Sequence, residues 1–110
     1  MQAPLEVLPN ALHDKFTRGQ QPCLVDVRSA FEFSNGHPPG AISIPAALIS
    51  EMEIRRRLGD EAGRKRPLYL ISANGDRARQ AAGKLQAEGL PQVLLVRGGT
   101  TAWSEDYRLL

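Results

Sequence analysis

The stretch Leu68-Tyr-Leu-Ile-Ser-Ala-Asn-Gly-Asp-Arg-Ala78 predicts a strand, a tight loop and the start of a helix. Residues 68–71 form an apolar run with the length of a short buried strand. Gly75 interrupts this run, and a helical pattern begins at Arg77. The apolar residues of that helix lie on one face through the spacing i, i+3, i+4 and i+7: Ala78, Ala81, Ala82 and Leu85.

The loop between this strand and this helix is the predicted ligand site. In an open α/β sheet, ligands bind beyond the carboxyl ends of the strands. The same loop lies at the amino end of a helix, where unpaired N–H groups and the helix dipole favour an anion. Gly75 keeps the loop tight, Arg77 adds a positive charge, and Asp76 partly cancels that charge.

The remaining segments predict an α/β fold in which strands alternate with helices. The predicted strands are residues 5–8, 23–27, 41–44, 68–71 and 92–96. The first predicted helix begins at Pro9, with Asn10 as its N-cap. Two further predicted helices cover residues 48–58 and 77–88. This alternation indicates one three-layer domain over residues 1–110, with a mainly parallel five-stranded sheet between helices on both faces.

Polar side chains in and after the second strand need partners if they are buried. They are Asp26, Arg28, Glu32 and His37. We interpret them as an ion-pair and hydrogen-bond network that holds the following turn. The alternative interpretation is that His37 acts as a general base, for which its side chain has a suitable pKa.

Several motifs together resemble those of the rhodanese domain family. The motifs are Asp26-Val-Arg28, Glu32-Phe33, Gly36-His-Pro-Pro-Gly-Ala41, Ile44-Pro45 and Gly98-Gly-Thr-Thr-Ala-Trp103. Within this resemblance, Gly40, Gly98, Gly99 and Trp103 are structural residues, and Pro38 occupies a position where isoleucine is usual. The loop Ser72-Ala-Asn-Gly-Asp-Arg-Ala78 resembles the family pattern Cys-x-x-Gly-x-Arg-Ser, so the resemblance assigns Ser72 to the cysteine position and Ala78 to the last serine position.

The resemblance implies thiosulfate:cyanide sulfurtransferase activity for the family, in which a cysteine thiolate carries a persulfide. A hydroxyl oxygen cannot carry a persulfide, and a serine needs an adjacent base to become a nucleophile. We therefore expect a non-catalytic module. Its site residues are Ser72, Ala73, Asn74, Gly75, Asp76, Arg77 and Ala78. Its expected ligand is a small anion such as thiosulfate, sulfate or phosphate, or a partner protein.

Two alternatives stay open at this stage. In the first, the protein belongs to a sulfurtransferase lineage, and Ser72 replaces the cysteine naturally or by engineering. In the second, Ser72 is the nucleophile of a hydrolase. Cys23, the only cysteine, lies at the start of a different strand and is expected to be a packed core residue.

Composition excludes several other classes. The apolar fraction of 42% is ordinary for a soluble domain, and no apolar run is long enough to cross a membrane. No secretory leader is recognised, so a cytoplasmic location is expected. One cysteine and two distant histidines predict no metal site, and no cofactor is indicated.

A cluster of basic residues follows the third strand. Its members are Arg55, Arg56, Arg57, Arg64, Lys65 and Arg66. The net charge of +2 and the absence of aromatic residues in this cluster give no support to a nucleic-acid partner. We interpret the cluster as a solvated surface, with docking of an acidic partner as the alternative.

Overall fold

The computed structural model describes residues 4–110 and has a five-stranded, wholly parallel sheet. The strands are β1 (Leu5–Val7), β2 (Cys23–Asp26), β3 (Ile42–Ser43), β4 (Leu68–Ile71) and β5 (Val93–Val96). The helices are α1 (Pro9–Thr17), α2 (Ala30–Ser34), α3 (Glu51–Leu58), α4 (Asp76–Ala87) and α5 (Gly99–Asp106). The order across the sheet is β1-β5-β4-β2-β3, so β4 is the central strand.

Two apolar clusters cover the two faces of the sheet, which confirms the predicted three-layer α/β architecture. One cluster joins alternate residues of β2 and β4, such as Val25 and Leu70, to Ile54 of α3 and Leu85 of α4. The other cluster joins the intervening strand residues to the helices α1 and α5. Its fully enclosed members are Leu12, Leu24, Tyr69, Ile71, Val96 and Trp103. The strands β2 and β4 are buried on both sides at every residue.

Strand register places the predicted ligand loop and Cys23 at opposite ends of the sheet. Cys23 pairs with Leu68, the first residue of β4, and Asp26 pairs with Ile71, the last. Ser72 therefore follows the carboxyl end of the central strand, while Cys23 begins its neighbour at the amino end. Cys23 is buried within the core, as predicted.

The predicted helix face of α4 is confirmed, but two other helical predictions need correction. Ala78, Ala81, Ala82 and Leu85 are all buried. Leu8 rather than Asn10 is the N-cap of α1, because Pro9 already occupies the first helical turn. The helix α3 begins at Glu51 rather than at Leu48, because the Ser50 hydroxyl accepts a hydrogen bond from the Glu53 N–H and fixes the start there.

Two helices were missing from the sequence prediction, which gave turns in their place. The first, α2, is a short helix with a capping box, since Ser29 and Glu32 each accept a hydrogen bond from the other's backbone N–H. The second, α5, begins with two glycines in left-handed conformation, since Gly98 is its N-cap with a φ of 74° and Gly99 is its first residue with a φ of 64°. No helix among residues 4–110 has the length and apolar character that crossing a membrane requires.

Substitution of Gly99 by alanine tests the packing between α5 and the loop after β4. A Cβ atom at this position would lie 2.6 Å from the Ala73 carbonyl oxygen and would overlap the Ser72 carbonyl oxygen. Because the positive φ is also unfavourable for alanine, Gly99→Ala should lower the free energy of unfolding by about 2–4 kcal/mol. Urea denaturation measures this loss.

Gly83→Ala is the matched control for that experiment. Gly83 lies inside α4, and a Cβ atom there would meet no other atom within 4 Å. Alanine is the better helix former, so this change should raise the free energy of unfolding by about 0.5–1 kcal/mol. Equal stability of the two variants would contradict the proposed role of Gly99.

Candidate functional site

The loop Ser72–Ala78 is built around the hydroxyl of Ser72. This side chain is only 1% exposed. Its Oγ accepts hydrogen bonds from the backbone N–H groups of Gly75 at 3.2 Å and Ala78 at 3.1 Å. Ala78 lies in the first turn of α4, so one of the N–H groups without an intrahelical partner is directed at residue 72. Two backbone donors of the loop therefore meet at the Ser72 side chain.

The start of α5 fixes the outer side of the same loop. Thr100 N–H donates to the Ser72 carbonyl oxygen at 2.8 Å, and Thr101 N–H donates to the Ala73 carbonyl oxygen at 3.1 Å. The two carbonyl groups are thereby held against α5. The sequence analysis gave Gly98 and Gly99 a structural role but missed Thr100 and Thr101, because the contribution of these two residues comes from backbone N–H groups rather than from side chains.

Two other polar groups of the loop, the Asn74 side chain and the Arg77 N–H, are not hydrogen-bonded to Ser72. The Asn74 side-chain oxygen accepts a hydrogen bond from the Asp76 N–H at 3.1 Å. The Arg77 N–H, at the second position of α4, has no acceptor among residues 4–110. Asn74 and Asp76 are exposed, whereas Gly75 is buried. A ligand that reaches the loop from solvent therefore meets residues 73–77 before it meets the Ser72 hydroxyl.

Arg77 forms an ion pair that sequence reasoning did not predict. Its guanidinium donates to both carboxylate oxygens of Glu32, at 2.7 Å and 2.9 Å. These hydrogen bonds, with the Ser29 N–H, lower the pKa of Glu32 to about 2 and raise the pKa of Arg77. The direct ion-pair partner of Arg77 is thus Glu32, whereas Asp76, which was expected to cancel part of its charge, lies 3.9 Å from Arg79. Glu32 is 45 residues away in sequence, so no local pattern indicates the pair.

A second ion pair lies buried beside the loop. Asp26 is fully buried, and Arg28 donates to both of its carboxylate oxygens, at 3.0–3.1 Å through Nε and 2.7 Å through Nη2. Arg28 also donates to the Gly36 carbonyl oxygen at 2.6 Å. This confirms the predicted structural network for these two residues, since every charge in it has a partner.

The remaining predicted residues have structural contacts outside the loop. His37 lies with its Nδ1 2.9 Å from the Phe33 carbonyl oxygen, and its ring stacks on the Phe33 ring. The Gly40 backbone has a φ of +89° and packs against the Phe16 ring. Trp103 is buried between the sheet and α1, beside His13 and Tyr107, as predicted for a core anchor. Neither the His37 nor the Trp103 side chain has a hydrogen bond to Ser72 among the described residues.

Comparison with known proteins identifies the family. The model of the Rhodanese-like domain matches residues 8–106. The chain belongs to the rhodanese-like domain family. Relatives include a sulfurtransferase from Allochromatium vinosum, which is 30% identical over 99 residues that cover 90% of this chain and 87% of that protein. The thiosulfate sulfurtransferase GlpE from Pseudomonas syringae pv. syringae is 31% identical over 90 residues, with 82% and 79% covered.

Solved structures agree with the rhodanese-like fold. A rhodanese-like domain protein from Staphylococcus aureus matches with a TM-score of 0.75 at 25% identity, over 96% of each chain. The protein BH2092 from Bacillus halodurans matches with a TM-score of 0.78 at 28% identity, over 93% of this chain and 72% of that one. These matches show that the chain has the rhodanese-like fold.

No described part of this rhodanese-like domain offers a metal centre. Among residues 4–110, no group of three or more His, Cys, Asp or Glu side chains is arranged to hold an ion. The donors that converge on residue 72 are backbone N–H groups, which bind anionic or lone-pair-bearing atoms and not cations. Both of these donors already have an acceptor in the Ser72 hydroxyl.

The Glu32–Arg77 pair makes the stability of the domain depend on pH. Glu32 has an ordinary pKa of 4.5 and a folded-state pKa of about 2. Its contribution is fully present above pH 4.5 and is lost as the pH falls toward 2, because the unfolded chain binds the proton first. The pair is about one-third exposed, so solvent screening limits this contribution to about 1 kcal/mol.

Glu32→Gln should therefore lower the free energy of unfolding at pH 7 and have a smaller effect near pH 2.5. Glutamine can keep the capping contact with Ser29, so the variant removes the charge rather than the cap. Urea denaturation of Glu32→Gln, Arg77→Gln and the double variant at both pH values measures the coupling. A coupling energy that does not change with pH would contradict the assignment.

Proposed function

We propose that this rhodanese-like domain is a binding module without thiosulfate:cyanide sulfurtransferase activity. The observation that carries the proposal is the position of the Ser72 hydroxyl, buried at the end of β4 and hydrogen-bonded to two backbone N–H groups. These are the groups that would stabilise a thiolate on a cysteine at residue 72. The family motif assigns the persulfide-carrying cysteine to this residue, and an oxygen atom there has no sulfur-transfer chemistry.

Sulfur transfer makes demands that Ser72 does not meet. The nucleophile must attack the outer sulfur of thiosulfate, so that the sulfur–sulfur bond of thiosulfate breaks and sulfite leaves with the electron pair. The new bond must then be broken again by an acceptor. A serine alkoxide is not available near neutral pH without a base, and the contacts of Ser72 Oγ within residues 4–110 are both with N–H donors.

The same contacts give no support to a hydrolase. A serine nucleophile is activated by an imidazole or another base within hydrogen-bond reach. His37 is held by the Phe33 carbonyl oxygen and the Phe33 ring, and both described partners of Ser72 are backbone amides. We therefore do not propose Ser72 as a catalytic nucleophile.

The proposed ligand of the loop is a small oxyanion such as thiosulfate, sulfate or phosphate. The Arg77 N–H and the amides of Ala73 and Asn74 lie at the amino end of α4, where the helix dipole favours negative charge. Recognition would rest on these backbone groups, because the Arg77 guanidinium is already paired with Glu32. A partner protein that inserts a carboxylate or phosphorylated side chain would use the same donors, and the exposed Asn74 and Asp76 would flank it.

Ser72→Cys should create the persulfide chemistry that the wild-type chain lacks. A thiol at residue 72 would receive the Gly75 and Ala78 N–H groups and the field of α4, which lower a cysteine pKa from about 8.5 into a range of about 3.5 to 7.5. After treatment with thiosulfate, intact-protein mass spectrometry of this variant should show the gain of one sulfur atom. The wild-type chain should show none and should have background activity with cyanide.

Cys23→Ser, made in both backgrounds, is the control for that experiment. It removes the natural thiol, so any sulfur gained by the double variant must lie on residue 72. A gain in Ser72→Cys would also support a sulfurtransferase lineage in which serine replaced cysteine. Sulfur transfer by the wild-type chain that survives Cys23→Ser would refute the proposed function.

Binding of thiosulfate by the wild-type loop should be visible in amide NMR spectra. Saturable shifts are expected for residues 73–78, and they should be absent with chloride at equal ionic strength. Ser72→Ala leaves the Ala73, Asn74 and Arg77 amides in place, so the affinity of this variant for thiosulfate should stay within about threefold of wild type. Shifts spread over the whole surface, or the absence of saturable shifts at residues 73–78, would count against binding at these donors.

A further inference from the structure

A second cavity lies at the end of the sheet opposite to Ser72. Its volume is about 590 Å³, and it opens beside Cys23, the first residue of β2. The end of α1, residues 19–22, and the end of α3 surround it. This volume is within the range of small-molecule sites. The cavity shares none of its lining residues with the loop Ser72–Ala78, so the proposed function does not account for it.

One wall of the cavity is apolar. It consists of the Phe16 ring with Leu24, Ile42 and Leu58. The Phe16 ring is held against Gly40, where an added Cβ atom would lie 2.6 Å from the ring. Leu24 belongs to the enclosed core, so this wall is continuous with the packed interior and is already formed without a ligand.

The charged groups that line the cavity are two arginines, Arg57 and Arg66, and no carboxylate lines it. An adjoining cavity of about 220 Å³ shares Cys23 and Arg66 with the first, adds Lys15, and is likewise lined without a carboxylate. Three cationic side chains thus face one connected region that contains no acidic side chain among the described residues. Such a region attracts anions.

The other arginines of the basic cluster form closer ion pairs than Arg57 and Arg66 do. Arg55 and Arg64 both pair with Glu51, and Arg56 donates two hydrogen bonds to Glu53. The sequence interpretation of the cluster omitted these two glutamates, which neutralise much of it.

Arg57 and Arg66 are left with weaker partners. Arg57 lies 3.9 Å from the Glu53 carboxylate that Arg56 already binds. Arg66 has no ion pair within residues 4–110, and its Nη2 donates to the Gln21 carbonyl oxygen at 3.2 Å. The backbone of Arg66 is fixed by hydrogen bonds with Glu61 and Gly63. The guanidinium of Arg66 is therefore held at the cavity with N–H groups left to donate.

We propose that this cavity is a second binding site, for a small organic anion with a carboxylate or phosphate head and an apolar body. Arg57 and Arg66 bind the head, and Phe16, Ile42 and Leu58 contact the body. Guanidinium groups form strong charge-assisted hydrogen bonds with both kinds of head group. This site is independent of the loop Ser72–Ala78, because the two lie at opposite ends of the sheet.

The test is an amide NMR titration of the wild-type chain with 1-naphthyl phosphate. Saturable shifts are expected at residues 19–24, 40–42 and 57–66. Inorganic phosphate and 1-naphthol serve as probes of the head and the body alone, and each should bind this region at least about tenfold more weakly. Arg57→Gln with Arg66→Gln should weaken binding of 1-naphthyl phosphate by about tenfold or more.

Arg55→Gln with Arg56→Gln is the matched control, because it removes the same charge from the same cluster outside the cavity. It should leave the affinity for 1-naphthyl phosphate within about twofold of wild type. Thermal unfolding of both double variants checks that they remain folded.

Four outcomes would overturn the proposal: no saturable shifts, shifts confined to residues 72–78, equal losses in the two double variants, or equal binding of 1-naphthol. Shifts at the cavity with a hexaglutamate peptide but not with 1-naphthyl phosphate would likewise overturn it, since they would indicate docking of an acidic protein segment. Thiosulfate binding is measured from the amides of residues 73–78, which do not line the cavity. A negative result at one site therefore does not affect the result at the other.

Discussion

The contact between α5 and the loop after β4 is the constraint on which the candidate site depends. Thr100 and Thr101 donate their N–H groups to the carbonyl oxygens of Ser72 and Ala73, and only a glycine at residue 99 leaves room for this approach. With both carbonyl groups held on the outer side, the chain turns through Gly75, whose φ is +105°. The N–H groups of Gly75 and Ala78 then meet at Ser72 Oγ. A helix distant in sequence thus orients the loop.

Ion pairs next to this loop neutralise arginine side chains that the sequence alone would suggest for ligand binding. Arg77 is bound by Glu32, and Arg28 is bound by the buried Asp26. Both acids belong to the segment around β2 and α2, so the pairs join that segment to itself and to α4. What remains at the loop is the exposed Asp76 carboxylate, 3.9 Å from Arg79, and a set of oriented peptide dipoles. Such dipoles are fixed before a ligand arrives, and they favour an anion by position rather than by net charge.

The strands and the buried face of α4 could be predicted from sequence because local patterns specify them. The run at residues 68–71 and the spacing from Ala78 to Leu85 each determine one element by themselves. The position of Ser72 at the carboxyl end of β4 followed from the same patterns. The capping box of Ser29 and Glu32 was a readable signal for α2 that the prediction overlooked. The Glu32–Arg77 pair and the hydrogen bonds of the Thr100 and Thr101 amides could not be predicted in this way, because they depend on tertiary packing between distant segments.

The parallel sheet explains how one small domain could hold two unlike binding regions. At the carboxyl ends of the strands, loops lead into helix amino termini and expose N–H donors. At the amino ends, loops leave helix carboxyl termini, so backbone N–H groups are already used within the helices and side chains must supply the positive charge. Arg57, Arg66 and Lys15 occupy that end, around a cavity with an apolar wall. The first region suits a compact oxyanion that backbone groups can surround, whereas the second suits a larger anion that can also bury apolar surface.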